Sequence, residues 1–179
     1  VPATSKRSRQ IVTGGPPFLR TPFLVGGETV EITEYPFQLA LISATQANAL
    51  AGQYCGGTLI DPEWVLTAAH CVWETEGEFK APSAVSIGTG RTLLSEVGPS
   101  DRHGIAAIYP HPAYDDEAVT NDIALLRLAL PIPGPVATPL PWLNDPMIPL
   151  DGTPILKAGW GSTEHLDNGP FPDGLRAVT

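Results

Sequence analysis

The chain is 179 residues long, with 10 basic against 19 acidic residues and a formal net charge of −9. That balance excludes the basic footprint of a nucleic-acid-binding surface, and the lack of any run of about 18 apolar residues excludes a membrane-spanning helix. Eighteen Gly and 20 Pro, about a fifth of the chain, punctuate short apolar runs and predict an all-β fold with many turns.

In chain order, residues 1–23 read as a leader without periodicity, carrying Pro-Pro, Thr-Pro and Gly-Gly pairs and one basic cluster, Lys6-Arg7-Ser8-Arg9. The stretch opens on Val1 and lacks a charged n-region followed by an apolar h-region, so no signal peptide is expected within it. Strands are predicted over Phe37–Ser43, Gly57–Ile60, Trp64–Thr67, Ala84–Ile87, Gly104–Tyr109, Asp122–Leu128 and Thr153–Gly159. Each is short and bounded by Gly, Pro, Asp or Asn, as strands of sandwiches and barrels are. The longest helix-like segment, Ala44–Ala51, is brief and poorly capped, and Ala68–Val72 reads as a single turn after a strand. From Leu130 to Pro154 prolines recur at 131, 133, 135, 139, 141, 146 and 149. Proline has no N–H for a sheet ladder, so this stretch reads as a connector between two β units. Too few residues follow to close a second barrel.

Two cysteines occur, Cys55 and Cys71. As a pair they close a loop of about 15 residues, worth roughly 3 kcal/mol; the alternative is two reduced thiols. A zinc site on Cys55, His70 and Cys71 is disfavoured. Adjacent His and Cys are awkward ligands to one tetrahedral ion, and no fourth ligand follows at finger-like spacing. Two strings carry chemistry: Thr67-Ala68-Ala69-His70-Cys71 and Asn121-Asp122-Ile123-Ala124-Leu125-Leu126. A hydroxyl nucleophile needs a base whose ordinary pKa lies near neutrality, which is histidine. That histidine needs a carboxylate to fix its tautomer and to stabilise the imidazolium formed during attack. Asp122, at the head of an apolar strand, is expected to be partly buried and to demand a hydrogen-bonding partner.

These strings resemble the trypsin/chymotrypsin-like serine endopeptidases. Leu24-Val25-Gly26-Gly27 is similar to the start of that family's mature enzymes, Tyr35-Pro36-Phe37-Gln38 to its first strand, and Cys55-Gly56-Gly57-Thr58-Leu59-Ile60 to the segment with the bridge partner. Trp64 to Cys71 resembles its histidine motif and Asn121 to Leu126 its aspartate motif. His111-Pro112-Ala113-Tyr114 and Gly159-Trp160-Gly161 are similar to structural landmarks, all in the family's order. The resemblance implies a chymotrypsin-like double β-barrel. Its first barrel, over 24–130, would be complete, 131–152 would connect, and 153–179 would only begin the second. It implies His70 as general base and then acid, Asp122 as its orienting carboxylate and a Cys55–Cys71 disulfide. It further implies a secreted enzyme acting on polypeptide substrates, checked by proteinaceous inhibitors, with no metal or organic cofactor and no membrane span.

By the same resemblance the nucleophile belongs in a Gly-Asp-Ser-Gly-Gly string after Gly159-Trp160-Gly161, which this chain does not reach, so the fragment is expected to be inactive alone. Ser162 lacks the Gly-x-Ser-x-Gly elbow, and Ser43, Ser83, Ser86, Ser95 and Ser100 read as solvated strand or loop residues. His103, His111 and His165 read as structural or exposed. The expected activation N-terminus, Leu24, departs from the family's Ile or Val, and Phe23 rather than Arg or Lys precedes it. Cleavage after Arg20 with trimming, or a chymotrypsin-like activator, would fit; Ile11-Val12-Thr13-Gly14-Gly15 echoes the motif more weakly. Two alternatives stand beside the enzyme. One is a non-catalytic protease-like binding protein. The other is a chain ending near Thr179 as an orphan barrel with unpaired edges.

Overall fold

A computed structural model describes residues 27–74, 78–141, 154–163 and 171–179. Six strands close a barrel: β2 (Gln38–Ser43), β3 (Gln53–Asp61), β4 (Trp64–Thr67), β5 (Val85–Gly88), β6 (Arg102–Pro110) and β7 (Ala124–Leu128), in the order β2-β3-β4-β7-β6-β5. Every pairing is antiparallel, and β2 with β5 shuts the ring, Ala40 opposite Gly88 and Leu41 opposite Ile87. Closure leaves no barrel strand with an unpaired edge. Three short strands, β1 (Glu28–Thr29), β8 (Lys157–Gly159) and β9 (Arg176–Val178), form a separate sheet in the order β1-β9-β8. The architecture is thus one complete barrel and a second, open sheet.

Side-chain alternation explains the barrel. Leu39 and Leu41 on β2, Leu59 on β3, Val65 on β4, Ile87 on β5 and Leu126 and Leu128 on β7 point inward and form one buried core. The intervening residues of β2, Ala40 and Ile42, face outward into a second cluster with Ile32, Leu94, Val97, Trp160 and Leu175. Both faces of β2 are therefore covered, which accounts for its nearly unbroken apolar run. Gly57 marks a close approach inside the barrel. A Cβ there would stand 2.8 Å from Val65 Cγ1 and 3.0 Å from Leu41 Cδ1.

Thr92 ties the barrel to the open sheet. Its hydroxyl accepts the Ile32 N–H at 3.0 Å and donates to Glu31 Oε2 at 2.7 Å. Its carbonyl accepts the Trp160 indole N–H and the Leu175 N–H, each at 2.9 Å. The carboxylate of Asp173 adds two bonds to Ser95, from the backbone N–H at 2.7 Å and the hydroxyl at 2.5 Å.

Several local expectations shift. The strand predicted over Ala84–Ile87 runs one residue later, because Pro82–Ala84 form a 3-10 turn with proline at its start. The strand predicted from Asp122 begins at Ala124. Asn121 has φ 54° and its carbonyl accepts the Ile123 N–H at 2.8 Å, a tight bend that delays the extended backbone. Of the strand predicted over Thr153–Gly159, only Lys157–Gly159 is extended and paired among the described residues. The helix-like segment shrinks to α1 (Ala49–Gly52) and is capped after all, Asn48 Oδ1 accepting the Ala51 N–H at 2.9 Å. β1 and β9 are strands of two and three residues, too short for any periodicity to show in the sequence. Of the proline-rich stretch, residues 131–141 are described: Ile132 and Ala137 join the barrel core, and the Leu140 N–H reaches the Leu59 carbonyl at 2.8 Å. Residues 1–23, the expected activation terminus Leu24 and His165 lie outside the described residues.

Candidate active site

Three local facts place His70. β4 ends at Thr67, whose hydroxyl donates to the Gly56 carbonyl at 2.8 Å, and Ala68 is still extended. The chain then tightens into a 3-10 turn over Ala69–Cys71. Ala69, Cys71 and Val72 are all buried, so the turn is anchored around its histidine and leaves the imidazole partly open, 25% exposed. Cys71 is joined by a disulfide to Cys55 on β3, Cα to Cα 6.0 Å, which fastens the turn to the barrel wall.

Sheet topology delivers the carboxylate. β4 and β7 are neighbours with Thr67 opposite Ala124, so Asp122, just before β7, arrives beside the turn that follows β4. His70 Nδ1 stands 2.7 Å from Asp122 Oδ2, and the His70 backbone N–H donates to Asp122 Oδ1 at 2.8 Å. Asn121 braces the approach through Nδ2 to the Ala113 carbonyl at 2.7 Å. Val119, with φ 50°, is held in a left-handed conformation that β-branched residues rarely adopt. Paired backbone bonds between Asp115 and Thr120 close that turn at 3.1 and 3.2 Å.

The electrostatics follow from these contacts. Partial burial pushes the Asp122 carboxyl upward, but hydrogen bonds from the His70 ring and backbone, the nearby imidazole charge and the Ala69 backbone outweigh it. The carboxyl ends below its ordinary value. An ionised carboxylate only accepts, so a ring proton sits on Nδ1, and in the neutral ring the lone pair is therefore on Nε2. Nε2 lies 3.5 Å from Cys71 Sγ and 3.9 Å from Cys55 Sγ. The arrangement can take a proton at Nε2 and stabilise the cation that results.

The remaining sequence candidates separate cleanly. His103 Nε2 pairs with Thr89 Oγ1 at 3.1 Å, and His111 Nδ1 accepts the Ala113 N–H at 3.2 Å. Ser162 is fully buried, and Ser86, read as solvated, is buried and donates to the Ile42 carbonyl at 3.2 Å. The correction has a simple cause: Ser86 sits on β5 where the sheet meets β2, and a bonded hydroxyl tolerates burial. Sequence reasoning overlooked the aromatic group beside the histidine turn. Trp73 meets Phe79 at 4.8 Å and Tyr114 at 5.4 Å, both edge to face. Its position three residues after His70 was the available signal. It also overlooked Tyr54, whose hydroxyl is buried with no hydrogen-bond partner among the described residues and whose pKa is pushed up by burial, with Lys80 Nζ 5.7 Å from the ring centre.

Comparison with known proteins points to one family. The Trypsin family model covers residues 24–179. The chain is 36% identical to phenoloxidase-activating factor 3 of Holotrichia diomphalia over 157 residues, covering 79% of this chain and 43% of that protein. It is 34% identical to trypsin of Simulium vittatum over 157 residues, covering 87% of this chain and 59% of that protein. Serine protease SP24D of Anopheles gambiae is 34% identical over 160 residues, covering 89% and 54% respectively. The chain thus spans about half the length of the curated relatives it matches. By its barrel, its motifs and these relatives, it belongs to the trypsin/chymotrypsin-like serine protease family.

Proposed function

We propose that the protein to which this chain contributes is a secreted serine endopeptidase, with His70 as general base and acid and Asp122 as its orienting carboxylate. The observation that carries the reading is the two-point grip of Asp122 on His70, ring Nδ1 at 2.7 Å and backbone N–H at 2.8 Å. A base held this way keeps one tautomer and one direction, and small misplacements cost rate heavily.

The serine hydroxyl comes from polypeptide beyond Thr179, as the greater length of the relatives supports. His70 Nε2 takes the hydroxyl proton as oxygen attacks the scissile carbonyl, and the imidazolium gives that proton to the departing amine. Water then repeats the cycle on the acyl-enzyme ester. The steps call for no metal or organic cofactor. Polypeptides are the substrates, and proteinaceous inhibitors are expected partners. A disulfide beside the base suits an oxidising, extracellular setting. Activation at Leu24 remains part of the proposal.

A fluorophosphonate probe is expected to label the intact protein at a serine beyond residue 179, and His70→Ala is expected to abolish peptide hydrolysis. An intact protein that binds polypeptides but neither takes the probe nor cleaves them would instead be the non-catalytic relative.

A further inference from the structure

The disulfide and the imidazole form a cluster whose two sulfurs take no part in the proposed proteolysis. Cys55 Sγ, Cys71 Sγ and His70 Nε2 converge within 4.8 Å of one another, both cysteines 5% exposed and the histidine half-buried. We propose that, once a dithiol opens the Cys55–Cys71 bond, these three atoms hold a divalent cation of the zinc class, so that reduction in the presence of that ion captures the imidazole.

Geometry carries the proposal. A tetrahedral zinc at about 2.3 Å from sulfur and about 2.0 Å from imidazole nitrogen sets those donors about 3.5 Å apart, and two sulfurs about 3.8 Å apart. Nε2 already stands 3.5 Å from Cys71 Sγ and 3.9 Å from Cys55 Sγ. Only the sulfurs must part, each by about 0.9 Å from their bonded separation, to reach the tetrahedral spacing. The sequence-based objection, that adjacent His70 and Cys71 are awkward ligands, is met by the 3-10 turn, which brings their donor atoms to ligand spacing.

The surroundings suit a metal as well. Asp122 on Nδ1 makes the carboxylate–histidine pair that orients metal-bound imidazoles and raises their basicity. The exposed side of His70 leaves the fourth position for water. Two cysteines and one histidine are donors that favour zinc over magnesium or calcium.

The step balances. The dithiol gives two electrons to the S–S bond and becomes a disulfide itself, while its two hydrogens pass to Cys55 and Cys71. The ion then replaces both thiol protons, which leave to solvent, as two metal–sulfur bonds and one metal–nitrogen bond form. Exchange with the disulfide form of that dithiol, which takes back two electrons and two protons, re-forms the Cys55–Cys71 bond and releases the ion. A metal on Nε2 removes the lone pair that the proposed proteolysis needs; that consequence rests on the proteolytic reading, whereas the site itself does not.

The test uses the intact protein, reduced with a phosphine that competes weakly for metal, and Co2+ as the probe. Expected is a sulfur-to-cobalt charge-transfer band with tetrahedral visible absorption that saturates with one His70-dependent ion per chain and that Zn2+ displaces. The oxidised protein should lack it. Cys55→Ser should remove that component, His70→Gln should weaken its affinity at least about 100-fold, and Asp122→Asn should weaken it about 10- to 100-fold. Zinc should raise the Tm of the reduced protein only. The proposal is overturned if the reduced protein shows no such band or if His70→Gln binds as tightly as wild type. It is equally overturned if concentrated urea leaves the affinity unchanged, or if reduction erases the native near-ultraviolet circular dichroism before metal is added. Protease activity enters none of these readouts.

Discussion

Asp122 grips His70 at two points, Oδ2 on the ring Nδ1 and Oδ1 on the backbone N–H, across a separation of 52 residues. The backbone contact fixes where the turn sits, and the ring contact fixes which nitrogen faces away. One side chain therefore sets both position and tautomer, which makes it the most informative place to perturb.

Asp122→Asn keeps the shape but replaces one acceptor oxygen with a donor, so the ring is driven towards the wrong tautomer. In the intact protein, kcat/KM for peptide hydrolysis is expected to fall about 10⁴-fold, as the triad logic requires. Retained far-ultraviolet circular dichroism would show that the barrel survived. A change of less than tenfold would remove Asp122 from the proposed mechanism.

Acid should destabilise the protein in two stages. Burial holds the His103 pKa below its ordinary value against the opposing charge of Asp101, so the unfolded chain binds this proton first. Stability should therefore begin to fall as pH drops below about 6.5. Asp122 and Asp101 follow. In each, burial raises the pKa and hydrogen bonds lower it further, from His70 in one case and from Arg91 and Gly98 in the other. Their contribution is present above about pH 4 and is lost as pH falls through the depressed folded values. Tm measured from pH 7 to pH 2 checks this: His103→Gln should flatten the upper stage, and Asp101→Asn or Asp122→Asn the lower.

Removing the bridge with Cys55→Ala and Cys71→Ala together should cost about 3 kcal/mol, from the freed loop of the unfolded chain. Denaturant unfolding of the oxidised proteins gives the number. A loss below about 1 kcal/mol would show that packing of Ala69 and Val72 alone holds the turn, well short of the chain-entropy expectation.

Gly57→Ala probes barrel packing without touching the site. The added methyl would meet Val65 Cγ1 at 2.8 Å and Leu41 Cδ1 at 3.0 Å, both on side chains buried in the core. Overpacking of this kind costs about 1–3 kcal/mol. The change should appear in thermal unfolding as a lower Tm; an unchanged Tm would mean the barrel wall yields more easily than its closed ring suggests.

The sequence by itself determined the class of fold and the two strings that meet at the site. Both are local properties: alternating burial is written residue by residue along β3, β4 and β7, and the turn residues around His70 and Asp122 stand in short contiguous strings. What only the tertiary structure decided depends on partners far away in the chain. It settled that Asp122 holds both ring and backbone of His70, that Thr92 joins four segments, that Ser86 is buried, and that β1 and β9 form strands at all. Strands of two and three residues, and polar groups buried by their bonds, carry no periodic signal. Their stability comes from long-range contacts that exist only once the barrel has closed.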